Sequence, residues 1–251
     1  MDIIPFMIEL LTVGVLTGFL SGFFGIGGGT ILVPLLLMLG YDTKTAIGIS
    51  VVQMVFGSIF GSYLNHKKGT LDVAMIAIIG AGGFVGALLS GYITSLFSNR
   101  TLEIFFLLFA TFALFRLFMP VKEDAVEKDV NKLLLFGIGI FIGMMSITIG
   151  VGGSIMLVPI LVGFLHVKLN KAISAGLFFV VFSSISGLIS HTLEGHIDFK
   201  SGIIVGIASL VGVYVGIYFK DKVQTPLQKK LIVIFYVFIV IYLAKRVFIN
   251  G

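Results

Sequence analysis

The chain is 251 residues long, 58% hydrophobic and only 12% charged, with no cysteine and a formal charge of +5. Its mean hydropathy is +1.15, whereas soluble domains are about 45–50% apolar and about 25% charged, so the composition is that of a polytopic membrane protein. The missing cysteines exclude disulfides, thiol catalysis and cysteine metal sites, and the basic residues sit in short loops between apolar runs, where they set topology rather than bind nucleic acid.

Taken in order, the apolar segments fall at about 6–24, 29–39, 45–64, 71–93, 102–119, 132–149, 154–165, 171–191, 201–219 and 229–249. Spans of about 20 residues use most of the length, so no extramembrane domain is expected. The start, Met1-Asp2-Ile3-Ile4-Pro5, lacks the basic region of a cleaved signal, and the first apolar run is expected to be retained. Segments 29–39 and 154–165 are too short to cross a hydrocarbon core of about 30 Å. Each follows a glycine cluster and contains a proline, as expected of broken helices or re-entrant hairpins whose irregular backbone is buried in protein or lines a cavity.

The clusters are Gly25-Ile26-Gly27-Gly28-Gly29-Thr30-Ile31-Leu32-Val33-Pro34 and Gly150-Val151-Gly152-Gly153-Ser154-Ile155-Met156-Leu157-Val158-Pro159. They are in register with one another at a constant offset. After a one-residue slip Ala46, Ile47, Phe56, Ser58, Gly61, Gly69 and Asp72 match Ala172, Ile173, Phe182, Ser184, Gly187, Gly195 and Asp198, and Gly80, Gly86 and Tyr92 match Gly206, Gly212 and Tyr218. The chain therefore reads as a duplication: a first transmembrane repeat over 1–119, a charged linker over 120–131 and a second repeat over 132–251.

Basic residues orient it. If each glycine hairpin enters and leaves on one face, one side collects Lys67, Lys68, Lys122, Lys128, Lys132, Lys168, Lys171, Lys220, Lys222, Lys229 and Lys230, and the other only Lys44, Arg100, Lys200, Lys245 and Arg246. A kinked continuous span at each motif would divide them evenly and orient nothing. The positive-inside rule thus places the basic loops in the cytoplasm and both termini outside. Each repeat then crosses an odd number of times, so the second is inverted. The expected fold is an all-α polytopic membrane protein of two inverted repeats, each a glycine-rich broken hairpin plus three spanning helices, a plan in which half-helix ends build a substrate site near the midplane.

Glycine lets the backbone approach a ligand, and the amides at a helix start favour anions. Gly25, Gly27, Gly28, Gly29, Thr30, Gly150, Gly152, Gly153 and Ser154 are accordingly the candidate substrate-binding residues, with Thr30 and Ser154 offering hydroxyls. Close helix packing is the alternative reading of such glycines, and it fits Gly14, Gly18, Gly22, Gly82 and Gly86 better. Gln53, an amide near mid-span, needs a partner or water and joins the candidates. The serines of the same helices, Ser50, Ser58 and Ser62 in one repeat and Ser174, Ser183, Ser184, Ser186 and Ser190 in the other, read mostly as bonded to their own backbone. His191, at the position equivalent to Asn65, reads either as a proton relay or as a solvated interfacial group. His66 and His166 read as loop residues, Asp72 and Asp198 as helix caps, and Arg116 as a side chain reaching for the interface.

Enzyme signatures are missing: no His-Glu-x-x-His, no Gly-x-Ser-x-Gly and no Walker lysine. No catalytic residue, metal or cofactor is expected, and nucleotide cannot power the chain. The pair Gly18-Phe-Leu-Ser-Gly-Phe-Phe-Gly-Ile-Gly-Gly-Gly-Thr-Ile-Leu-Val-Pro34 and Gly143-Met-Met-Ser-Ile-Thr-Ile-Gly-Val-Gly-Gly-Ser-Ile-Met-Leu-Val-Pro159 resembles the TauE/SafE family of membrane permeases, across essentially the whole chain. The resemblance implies export or uptake of small sulfur-containing anions, such as sulfite and organosulfonates, across the inner membrane without ATP, by two related helical bundles. Only the two glycine motifs carry over residue by residue, and Ser154 stands where the first motif has Gly29. The expectation is a secondary transporter coupled to an ion gradient, with a small anionic substrate and the bilayer as partners and self-association into a homo-oligomer left open. A passive anion channel and a non-transporting membrane scaffold are the rival readings.

Overall fold

A computed structural model of the chain describes residues 3–25, 27–69, 73–118, 131–163, 165–167, 169–220, 222–223 and 225–249. The described residues form α1 (Ile3–Phe24), α2 (Gly29–Met38), α3 (Thr43–Lys67), α4 (Val73–Ala87), α5 (Ser90–Leu96), α6 (Asn99–Phe118), α7 (Lys132–Thr148), α8 (Ser154–Gly163), α9 (Leu169–Leu193), α10 (Phe199–Lys220) and α11 (Thr225–Ile249), with no strand among them. Among the described residues, six stretches are long and apolar enough to cross a membrane: Ile4–Phe24, Thr43–Lys67, Ile76–Leu96, Lys171–Leu193, Phe199–Lys220 and Lys230–Ile249. Large apolar side chains such as Leu16, Leu108, Phe115, Tyr214 and Ile241 point outward, as lipid requires. The chain is a multi-pass, all-α membrane protein.

Both expected half-helices are present. α2 and α8 are ten residues each, about 15 Å long, and each carries an internal proline, Pro34 or Pro159, that cannot donate to the carbonyl one turn back. Left-handed glycines stop the preceding helices: Gly25 (φ 67°) ends α1, donating to the Ser21 carbonyl, and Gly150 (φ 71°) ends α7, donating to the Ile147 carbonyl.

The expected span over 71–93 appears as one crossing stretch, Ile76–Leu96, which is interrupted at Leu88–Leu89, where α4 gives way to α5. Ser90 Oγ donates to the Ala87 carbonyl and so takes the acceptor that an unbroken helix would use for the Gly91 amide. Ser190 of α9 repairs the break from outside, accepting from Gly91 N at 2.9 Å and donating to the Leu88 carbonyl at 2.7 Å. Its sequence counterpart α10 runs unbroken through 22 residues.

Small residues set the helix pairs, as expected of them. A Cβ on Gly14, Gly18 or Gly22 would fall within 2.7 Å of α10 backbone or Ala208, and one on Gly82 or Gly86 within 2.1 Å of the Phe136 or Ile140 carbonyl of α7. The pairings rise together in residue number, 14 with 205 and 22 with 213, 82 with 136 and 86 with 140, so α1 lies parallel to α10 and α4 to α7. α3 follows α10 in the same sense: Gly202 meets Val52 and Gly206 meets the Phe56 ring. α9 follows α4, with Gly80 against the Phe182 ring and Ser186 bonded to the Phe84 carbonyl. α3 and α9 cross each other antiparallel at the centre, Met54 near Val180 across Gly152 and Gly61 near Leu177. α6 and α11 pair alongside, joined by Glu103 and Arg246 at 2.9 Å.

The linker over 120–131 lies outside the described residues except for Asn131, which caps α7 by accepting from Leu133 N. Asp198 caps α10 as expected, accepting from Ser201 N and Oγ; Asp72 and the Arg116 side chain lie outside the described residues.

Candidate functional site

The two glycine loops touch at the centre of the bundle. A Cβ on Gly29 would lie 1.9 Å from the Gly150 carbonyl oxygen, and one on Gly27 would lie 3.0 Å from Ser154 Oγ and 3.4 Å from the Val151 carbonyl. Ser50 of α3 donates to the Gly150 carbonyl at 2.8 Å, and Thr30 Oγ1 donates to that of Val151 at 3.5 Å. Gln53 is the eleventh residue of the 25 in α3, and Val180 the twelfth of the 25 in α9. Both therefore lie about 16–18 Å along their helices, at mid-depth.

Around the contact is a cleft lined by Ser21, Gly27, Gly28, Gln53, Met54, Gly57, Ser58, Leu177 and Val180, too narrow to admit a water molecule. The Gln53 amide lies against Gly28, whose Cβ would fall 2.1 Å from Oε1. Neither Gln53 Oε1 nor Nε2 has a hydrogen-bond partner among the described residues, and the same holds for Ser58 Oγ and Ser154 Oγ. Gln53 and Ser154 are completely buried and Ser58 is 3% exposed. A buried polar group left unpaired costs about 1–3 kcal/mol, so several such groups at one place mark a site that something polar completes. No lining side chain is charged. The groups that could hold a solute are the Gln53 amide, two hydroxyls and the starts of α2 and α8, whose dipoles favour an anion; α2 has no side-chain cap on its first turn.

Not every expected residue faces this cleft. Gly27, Gly28 and Gln53 line it, and Ser154 reaches it through Gly27. Gly25 packs on Ile173, Gly29 on Gly150 and Ser50, Gly150 on Ile47 and Val33, Gly152 on Met54 and Val180, and Gly153 on Phe179, Ser146 and Ile142. Their lack of a side chain lets the loops and helices meet, while Thr30 ties one loop to the other. The two halves also differ. Gly28 lies under the Gln53 amide and Gly153 under the Phe179 ring, and Phe179 stands at the position equivalent to Gln53. The polar cleft thus belongs to the first loop, and an aromatic ring fills the same place on the second.

The serines divide. Ser184 bonds within its own helix, as expected, and Ser183 bonds both there and to the Gly152 carbonyl of the second loop at 3.4 Å, while Ser50 bridges to the second loop and Ser186 and Ser190 to the α4 segment. Ser21, Gly57 and Leu177 were not expected in the lining; Ser21 stands four residues before Gly25, a spacing that places it one helical turn below the loop. His66 is exposed at the end of α3, and His166 lies in a loop with φ 56°. His191 is not the solvated group its place near a helix end allows: it is completely buried, with Nδ1 3.2 Å from His196 Nδ1.

A family model described as sulfite exporter TauE/SafE matches residues 10–243. The chain is 21% identical to "Probable membrane transporter protein YunE" of Bacillus subtilis, over 96% of this chain and 97% of that one. It is 27% identical to "Probable membrane transporter protein YdhB" of the same organism, over 89% and 94%. A "Probable membrane transporter protein" of Haemophilus influenzae is 32% identical over 76% of this chain and 75% of its own length. No solved structure matches significantly.

Proposed function

The chain belongs to the sulfite exporter TauE/SafE family, whose relatives are named membrane transporters, and on that premise we propose that it is a secondary transporter of small sulfur-containing anions such as sulfite or organosulfonates. The solute sits where the two glycine loops meet. It is held by the Gln53 amide, the Ser58 and Ser154 hydroxyls and the main-chain amides that start α2 and α8. The carrying observation is the cluster of completely or nearly completely buried, unpartnered polar atoms at mid-depth, with no cation beside them. Dipoles without a fixed counter-charge bind an anion weakly enough for it to leave.

The antiparallel crossing of α3 and α9, which occupy equivalent positions in the duplicated sequence, supports an inverted repeat. In that arrangement the loops approach from opposite faces, and parting them toward one face at a time exposes the same site alternately. A cleft too narrow for water favours a carrier over an open channel. The reading assigns the chain no chemical step and no resident cofactor.

The test is flux through the purified chain in liposomes, with sulfite, thiosulfate, sulfoacetate, other sulfonates and small carboxylates as the panel. Accumulation of a sulfur oxyanion against its gradient, lost in Gly27→Leu while the protein still inserts, is the expected result. Flux of that anion unchanged by Gly27→Leu overturns the site, and downhill leakage that no gradient drives uphill makes the chain a channel.

A further inference from the structure

The end of the bundle that carries the α2–α3 and α9–α10 turns holds a chain of polar side chains that the solute cleft does not use. His191 Nδ1 lies 3.2 Å from His196 Nδ1, His196 Nε2 lies 3.3 Å from Ser95 Oγ, and Ser95 Oγ donates to Glu194 Oε2 at 2.6 Å. Glu194 is exposed, His196 half-buried and His191 completely buried. The chain therefore runs from water into the protein. At its inner end His191 Nε2 makes no hydrogen bond of ordinary length and angle among the described residues, and the Ile147 carbonyl is the acceptor beside the ring. Ile147 is also the residue whose carbonyl receives the Gly150 amide, at the start of the second glycine loop.

We propose that Glu194, Ser95, His196 and His191 form a proton path between the water at this end of the bundle and the second glycine loop, and that this path couples solute movement to proton movement, a clause that rests on the transporter reading above. The break between α4 and α5 serves it. With α5 displaced and fastened to Ser190 and, through Thr94, to the Thr148 carbonyl, Ser95 is set between His196 and Glu194.

The polarity of the chain follows from its outer end. A carboxylate only accepts, so Ser95 spends its hydrogen on Glu194, and its oxygen receives one from His196 Nε2. A neutral His196 then presents a bare Nδ1, His191 donates to it from Nδ1, and His191 Nε2 is left without a proton beside the Ile147 carbonyl, which can accept from it once it is protonated. A proton taken up at His191 Nε2 releases the His191 Nδ1 proton to His196 Nδ1; the His196 Nε2 proton passes to Ser95 Oγ, and the Ser95 hydroxyl proton to Glu194. One proton enters, both imidazoles and the hydroxyl end with as many protons as they began, and Glu194 becomes the neutral acid until water removes its proton. Run backwards, the same steps deliver a proton inward.

The titratable and charged groups facing the pair are Glu194 on its own turn and Asp42 and Lys44 at the start of α3. Burial, then Lys44, hold His196 below its ordinary range against Glu194 and Asp42, which keeps it neutral as the polarity requires. From α5 the Ser95 hydroxyl approaches the pair and from α7 the Ile147 carbonyl does; Tyr92 of α5 is 57% exposed.

The experiment compares wild type with His191→Asn, Ser95→Ala and Glu194→Gln in liposomes, with 35S-sulfite as probe. Two modes are read: exchange at equal pH and accumulation driven by a pH gradient, the latter with a trapped pH dye. Loss of a positioned proton carrier costs about a hundredfold, so accumulation and dye response fall by about that factor in His191→Asn and Ser95→Ala, while exchange stays near wild type. Accumulation kept in both variants, or exchange falling in step with it, overturns the path. A wild-type chain that moves no sulfite overturns the substrate reading instead. The path is then decided on 15N-histidine-labelled protein in nanodiscs: a coupling across the His191–His196 N–H···N bond, shifted by Glu194→Gln, supports it, and no coupling overturns it.

Discussion

Adding one methyl at Gly29 tests whether the two loops meet as closely as the structure has them. The Cβ of Gly29→Ala would lie 1.9 Å from the Gly150 carbonyl oxygen and 2.6 Å from Ser50 Oγ, main chain on one side and a bonded hydroxyl on the other. Overpacking of this kind costs roughly 1–3 kcal/mol, and pushing Ser50 from Gly150 removes a hydrogen bond worth about 1 kcal/mol. Alanine returns up to about 1 kcal/mol as the better helix residue at the start of α2. The net loss is about 2 kcal/mol, which for a chain of this size lowers the thermal midpoint by about 4–8 °C. Thermal unfolding in detergent reads the stability and liposome flux reads the activity, which should also fall because the loops no longer close. A variant with the wild-type midpoint and wild-type flux would show that the loops do not touch.

Gln53→Leu removes two unpaired buried polar atoms in nearly the same volume, so it should stabilise the fold by about 1–2 kcal/mol while abolishing flux; a destabilised variant would mean that Gln53 is already satisfied. At Gly137, in the middle of α7, a Cβ would meet nothing within 4 Å, and Gly137→Ala should raise stability by about 0.5–1 kcal/mol in the same melting assay with transport unchanged. Asp42 caps α3 by accepting from Thr45 N, and Asp42→Ala should cost about 1 kcal/mol. Burial opposes its ionisation, but the hydrogen bonds from Thr45 and Lys44 outweigh it and hold the carboxyl below its ordinary value of 3.8. Its contribution is thus complete above that value and fades as pH falls through the lower folded one, so wild type and Asp42→Ala should converge only in strong acid.

The half-helices were legible in the sequence because their signal is chemical: Gly25 and Gly150 take left-handed backbone that few other residues adopt, and Pro34 and Pro159 bar a long continuous helix. The packing role of Gly14, Gly18 and Gly22 was legible for a similar reason, since their spacing clears one face of α1. The break at Leu88–Leu89 was not. Its cause is Ser90 competing for a carbonyl and Ser190 reaching from another helix, and neither glycine nor proline sits at the break. The site was half legible. A run of glycines states that something comes close but not what, and here a second main chain comes close to Gly29, an amide to Gly28 and an aromatic ring to Gly153.

What separates the two halves carries more information about function than what they share. On the proposed reading a duplicated, inverted frame brings two helix starts together at mid-depth, yet identical halves would offer a solute the same surroundings from both faces and no means of coupling. The departures fall where chemistry is needed. Gln53 faces the first loop where Phe179 faces the second, which confines the polar cleft to one side of the contact. His191 stands where the other repeat has Asn65, and both are buried, but only the imidazole can take a proton on one ring nitrogen and release one from the other. α4 breaks where α10 continues, and the break sets Ser95 beside His196. Restoring symmetry at one of these positions separates the frame from its chemistry: His191→Asn copies the residue of the other half into a position of matching depth, so the frame should persist and only the proton-linked behaviour should go.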